Sequence, residues 1–180
     1  MNEMHQTSKQ HPMFCLGMNE IHVVQPGDIV FVDHPKYYDK ALEYYQKGLA
    51  LDLKMRAPEH ISKLGKEINV AFSYNNIGEV HDVKGDYDKA LENHQKSLSI
   101  RLNKLREDHP STANSYISIG ATYNDKGDYD KAREYFEKAL TIRLKQLRPD
   151  HPSTATSYSS IGAVYNAKAD YDKALEFYQK

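Results

Sequence analysis

Residues 85–126 and 127–168 are two copies of one text 42 residues long, identical at 29 of the 42 positions. Nothing else in the chain constrains its fold as strongly. A repeating unit of this length cannot bury an apolar face alone, so neighbouring units must stack to complete one another's cores. The shared text runs GDYDKA, an apolar stretch ending in IRL, DHPSTA, then SY, IG and Y. Ala90, Ala132 and Ala174 keep the same step of 42, as do Gly78 and Gly120.

Each unit reads as two helices. Tyr116, Ile119, Gly120 and Tyr123 fall at i, i+3, i+4 and i+7, one face of a helix, and Ala132, Phe136, Ala139 and Leu140 follow the same period, with Ile142 and Leu147 extending that side. Between the two, Lys126-Gly127-Asp128-Tyr129 supplies a glycine able to take positive φ and an aspartate able to cap the next helix. Asp108-His109-Pro110-Ser111 opens the following helix, with Asp108 or His109 as the cap and Pro110 in the first turn. Asp150 to Ser153 repeats that device.

Tyr116, Ile119, Gly120, Tyr123, Gly127, Tyr129, Ala132, Phe136 and Ala139 resemble the tetratricopeptide pattern of small and aromatic packing positions. The 42-residue period and the DHPSTA-SY lead-in are most similar to the long variant of kinesin light chains, over roughly residues 36 to 180. The resemblance implies an all-α, right-handed α-solenoid of stacked antiparallel helix pairs, whose first helices line a concave groove that holds peptides or partner helices. Kinesin light chains also carry a heptad coiled coil, and no such run precedes Tyr37.

The units are not uniform. Where one unit has Tyr123, Phe136 and Ala139, the preceding one has His81, His94 and Ser97, which predicts a looser first interface. If His81 and His94 are buried there, acid should loosen it further. Ala169 replaces the turn glycine, at a cost of about 1 kcal/mol if positive φ is kept. Ala41 and Ala90 stand 49 residues apart, and the excess, within Arg56 to Lys66, predicts a longer inter-repeat loop. The expected organisation is a leader at 1–35, a half repeat at 36–57, and units at about 66–106, 108–148 and 150–180. The last unit stops inside its second helix, so the chain reads as a fragment or a truncated gene product.

The leader holds Ile21 to Val24, a Gln25-Pro26-Gly27-Asp28 turn and Ile29 to Val32, a pattern of irregular or β-like structure, either disordered or a short hairpin too small to fold alone. Gln25 to Val32 is weakly similar to strand-turn-strand pieces of SET-type methyltransferases and some papain-like peptidases, but the catalytic residues of neither can be placed. His5, His11, Cys15 and His22 match no compact zinc pattern, so no metal and no cofactor is expected. Asp108, His109 and Ser111 recur at Asp150, His151 and Ser153, and recurrence favours helix capping over a hydrolytic set, which is needed once.

Twenty-four Lys and Arg against 25 Asp and Glu leave a net charge of -1, which lacks the basic excess of a nucleic-acid or membrane-surface binder. The apolar run Met13 to Met18 is too short for a signal core or a membrane span, and the lone Cys15 suits a reducing, cytoplasmic setting. The tyrosines at repeat-equivalent positions read as packing residues. Asp130, Lys131, Arg133, Glu134, Glu137 and Lys138 read as a solvated convex face.

Function then rests on the groove. First-helix positions directed away from the packing face are Asn75, Asn76, Glu79 and Asp82; Asn114, Ser118, Ala121, Asn124 and Asp125; and Thr156, Ser159, Ser160, Ala163 and Asn166. Their amides and hydroxyls suit the backbone of an extended segment. The lining lacks the Lys and Arg with which some tetratricopeptide proteins clamp a C-terminal carboxylate, and Glu79, Asp82 and Asp125 favour a neutral or basic segment. The expectation is a non-catalytic scaffold or adaptor for a protein partner. The alternatives are the targeting arm of an enzyme whose catalytic domain lies elsewhere, and an array that self-associates through uncapped ends.

Overall fold

A computed structural model describes residues 37–54, 63–147 and 150–180. The expected leader, its hairpin and the histidines and cysteine weighed as metal ligands lie outside the described residues. Within them, seven helices follow one another: α1 Tyr38–Lys54, α2 Lys63–Val83, α3 Tyr87–Lys104, α4 Pro110–Asp125, α5 Tyr129–Gln146, α6 Pro152–Ala167 and α7 Tyr171–Tyr178. The described residues contain no strand. Helices α2 and α3, α4 and α5, and α6 and α7 pack as pairs; α1 packs on α2, and α3 on α4 and α5 on α6 join the pairs. The first helices α2, α4 and α6 also meet one another. This is an all-α repeat solenoid.

Turn chemistry sets the pairs. At the end of α4, Gly127 N donates to Asn124 O at 2.9 Å and Asp128 N to Tyr123 O at 2.8 Å, the double bond of a left-handed helix stop. Gly127 holds φ 84° and Gly85 φ 77°, and Ala169 takes the same turn at φ 59° despite its Cβ. Asp128 then caps α5 by accepting from Lys131 N. At the start of α4 the cap is His109, whose Nδ1 accepts from Ser111 N at 3.1 Å, and His151 does the same for Ser153 N. Asp108 instead reaches the end of α5, where it accepts from Gln146 Nε2 at 2.7 Å and pairs with Lys145 at 3.2 Å. The hydrogen bond from Lys145 holds the Asp108 carboxyl below the usual range.

Each pair closes on a glycine. A Cβ on Gly120 would stand 2.7 Å from the Phe136 ring, one on Gly162 2.7 Å from Tyr178, and one on Gly78 2.6 Å from the His94 ring. The large side chain of the second helix thus lies on the bare backbone of the first. Burial of an aromatic side chain such as Phe136 contributes about 1.5–3 kcal/mol. Ala132, Phe136, Ile161 and Val164 form one core cluster that spans two units, and Ala41, Leu42, Ile77 and Val80 another between α1 and α2. Of the repeat-equivalent tyrosines, Tyr116 lies 6.0 Å from Tyr135 and Tyr158 6.4 Å from Phe177, whereas Tyr171 is exposed; Tyr123 stacks on Tyr135 at 5.6 Å, and Tyr165 on Phe177 at 5.4 Å.

Two ladders tie unit to unit. Lys84 pairs with Asp39, Lys126 with Asp88 and Lys168 with Asp130, at 2.5, 2.5 and 2.8 Å. These are exposed pairs that salt and solvent screen, and their recurrence records a constant offset between units. The second ladder is interior. Arg101 Nη1 donates to Ser111 O and Ser115 Oγ at 3.0 and 2.6 Å, and Arg143 Nη1 to Ser153 O and Ser157 Oγ at 2.6 and 2.8 Å. Burial pushes both guanidinium groups below their usual pKa. Asp52 holds the equivalent place in α1 and accepts from Ser73 Oγ at 3.4 Å.

Of the insertion within Arg56–Lys66, residues 56–62 lie outside the described residues. Helix α2 starts at Lys63 and runs 21 residues against 16 for α4 and α6, so part of the insertion is an extra helical turn.

Candidate functional site: the face of the first helices

Helices α2, α4 and α6 lie side by side, and their outward positions divide into three groups. Glu79, Asn114, Asp125, Thr156, Ser159, Ala163 and Asn166 are exposed. Ser118, Ala121, Asn124 and Ser160 are half-buried. Asn75 and Asn76 are buried at 9% and 4% exposure, against the expectation that they line an open groove. The longer α2 is covered by α1 on one side and by α3 and α4 on the other, which takes both amides out of solvent.

Asp82 is half-buried and turned toward the packing. Its Oδ2 accepts from Thr122 Oγ1 of α4 at 2.7 Å and lies 3.1 Å from His94 Nε2 of α3. In the next unit the corresponding residues are Asn124, Val164 and Phe136, so one unit has exchanged an amide, an aliphatic and an aromatic group for an interlocked acid, hydroxyl and imidazole. His81 is likewise buried, with Nδ1 3.3 Å from Asp86 Oδ2. Both imidazoles are therefore buried, the condition set for an acid-loosened interface, and each faces a carboxylate.

Glu79 sits one turn past Asn75, whose Nδ2 donates to Glu79 Oε1 at 2.8 Å. Burial of the carboxyl raises its pKa, and the positive charges of His94 and Arg101 and the Asn75 hydrogen bond oppose that shift. The residue still presents surface to solvent, so the site is a recess in an open face. On α6, Thr156 Oγ1 and Ser160 Oγ donate to the carbonyls of Pro152 and Thr156 at 3.0 and 2.9 Å, which leaves their oxygens as outward acceptors.

Cations stand near this lining at two places. The added turn of α2 brings Lys63 and Lys66 onto a first helix. From behind, Arg143 Nη2 donates to Asn114 Oδ1 at 3.1 Å, so a buried guanidinium backs the α4 wall. Its recurrence in both IRL segments is the visible signal, hidden because second helices read as the convex side. That side carries the expected solvated charges, with Lys138 on Glu134 at 2.6 Å and Lys131 on Asp128 at 2.7 Å. No helix among the described residues is long and apolar enough to cross a membrane.

Comparison with known proteins bears on this geometry. The fold is similar to that of BtubC (BKLC) from P. vanneervenii, at 24% identity and a TM-score of 0.67 over 80% of this chain and 55% of that one. It is also similar to a putative kinesin light chain from Podosopora anserina with nearly identical TPR-like repeats, at 21% identity and a TM-score of 0.53 over 80% of this chain and 85% of the other. The apo form of RapI aligns at 20% identity and a TM-score of 0.62 over 79% of this chain and 38% of that protein. The chain thus spans about 55% of the length of BtubC. No curated protein matches in sequence. A Sel1 repeat profile matches residues 26–53. The tetratricopeptide repeat profile matches residues 69–145 and 118–180, well over half the chain, and with the helix pairs, turns and glycine crossings it makes this chain a member of the tetratricopeptide repeat family.

Proposed function

We propose that the chain is a non-catalytic interaction scaffold that holds an extended peptide or a helix of a partner protein against the face of α2, α4 and α6. The row Glu79, Ala121 and Ala163 carries this reading. These residues occupy one position in three successive first helices, an acid followed by two alanines, and the small side chains leave room for a ligand backbone to approach. Exposed Asn114, Thr156, Ser159 and Asn166 flank the row with groups able to bond a peptide main chain. Helices α4 and α6 contain no Lys or Arg, which favours a neutral or basic segment over an acidic one.

The test is a quantitative pull-down that compares wild type with Ser159→Trp/Asn166→Trp, once circular dichroism shows equal helicity. Partners lost only with the variant support the groove. Partners retained in full by both contradict it.

One observation favours a second reading, self-association. Leu175 on α7 is 58% exposed and Tyr171 62%, whereas Leu91, at the equivalent position of α3, is 7% exposed. An apolar face of this kind is satisfied by another helix, including one from a second copy. A mass by light scattering that rises with concentration and falls back in Leu175→Glu supports this reading; a constant monomer mass removes it.

A further inference from the structure

We propose that Asn75, Glu79 and Asp82 of α2 form a recognition site for a lysine or arginine side chain of the bound partner. The inference rests on the groove reading above and names the chemistry of one contact within it. The three residues fall at i, i+4 and i+7, on one face of α2. Asn75 is nine-tenths buried and commits its amide donor to Glu79 Oε1, and its Oδ1 is sealed from solvent with no donor to accept from. Asp82 Oδ1 is in the same condition, while its Oδ2 is engaged by Thr122 and His94.

No described cation bonds Glu79. Arg101 acts on it through charge alone, because its Nη1 is given to Ser111 O and Ser115 Oγ and its Nε makes no bond. Glu79 is the exposed member of the cluster, so its carboxylate is the group a partner side chain meets, with the half-buried Asp82 carboxylate and the sealed oxygen of Asn75 behind it. A carboxylate at a partly buried surface attracts a cation more strongly than one in bulk water. An ammonium or guanidinium group supplies that charge; an anionic group meets two like charges. The equivalent residues in the next unit are Ile117, Ala121 and Asn124, so among the described first helices the Glu79 and Asp82 pair occurs on α2 alone, with Asp125 the acid of α4, and would fix which end of a bound segment carries the cation.

The experiment selects linear random peptides displayed on phage against the full chain, against Glu79→Gln and Glu79→Lys, against Asp172→Asn as a remote-acid control, and against Ala163→Trp, which blocks the far end of the face. The expected result is an enriched Lys or Arg at one fixed position, about a tenfold or greater loss of affinity in Glu79→Gln, an acidic preference at that position in Glu79→Lys, and no change in Asp172→Asn. Peptides that lose binding in Ala163→Trp but show no basic position, or bind Glu79→Gln unchanged, overturn the cation site and leave the groove standing. Failure to select any peptide whose binding Ala163→Trp removes overturns both.

Discussion

Arg143 Nη1 and Ser157 Oγ lie 2.8 Å apart in the interior between two units, and the same bond recurs at 2.6 Å between Arg101 and Ser115. The guanidinium also takes the carbonyl of Ser153, at the start of the next first helix. One buried side chain therefore sets where that helix begins relative to the unit before it. Replacement of Arg143 by Met keeps the apolar stem and deletes these donors. The expected cost is about 2 kcal/mol in urea denaturation, the worth of hydrogen bonds from a charged donor. An unchanged midpoint would show that desolvation of the cation cancels its bonds.

Ala169 occupies the turn at φ 59° where the earlier units place glycine. Ala169→Gly should stabilise the α6–α7 pair by about 1 kcal/mol, and Gly127→Ala should destabilise by a similar amount. Nothing lies within 4 Å of a Cβ built on Gly127, so the effect is one of backbone conformation and not of a clash. Equal melting temperatures for wild type and Ala169→Gly would contradict it.

His94 and Asp82 act as a matched pair. His94→Phe alone leaves Asp82 half-buried with only Thr122 as donor, and Asp82→Asn alone removes the imidazole's counter-charge. The double variant recreates the Asn124 and Phe136 combination of the next unit, against a glycine in the same place. The double-mutant cycle should show a coupling of about 0.5–3 kcal/mol that favours the matched pairs. Additive losses would mean that the two side chains do not interact.

The pH response of Glu79 has a definite sign. Burial raises its pKa in the folded chain, so the folded state prefers the protonated carboxyl. This group's contribution to stability therefore increases as pH falls through the folded pKa toward the unfolded value, and is lost again as pH rises. Asp86, Asp108 and Asp128, held low by lysine hydrogen bonds, respond in the opposite sense. The measurement is the stability difference between wild type and Glu79→Gln, which cancels the other groups. Wild type should gain on the variant from pH 7 to pH 4.5; a constant difference contradicts the assignment.

The 42-residue period and its turns make the architecture legible in the amino-acid sequence. Gly127, Asp128, Phe136 against Gly120, and the paired helices all stand where spacing puts them. The choice between Asp108 and His109 as cap stays open in the sequence because both residue types accept from a backbone N–H, and only the reach of Asp108 to Lys145 and Gln146 decides it. The candidate face is less legible. Helical phase alone places Asn75 and Asn76 outward, but burial depends on which helices flank α2, and its extra turn is hidden in the irregular insertion. The Asp82 site has a signal in the sequence: Phe136 and Asn124 become His94 and Asp82 together within one unit. Paired exchange of that kind marks a contact more reliably than either change alone.

The central claim is that partners bind the face of the first helices and not the charged face of the second. A photoreactive benzoylphenylalanine placed at Ser159 of α6, and separately at Glu137 of α5, tests it directly, since both positions are exposed and neither carries packing. With the full chain bound to peptides selected as above, or to partners in lysate, adducts should form from position 159 and be absent from position 137. Adducts from 137 alone, or equal yields from both, would contradict the account.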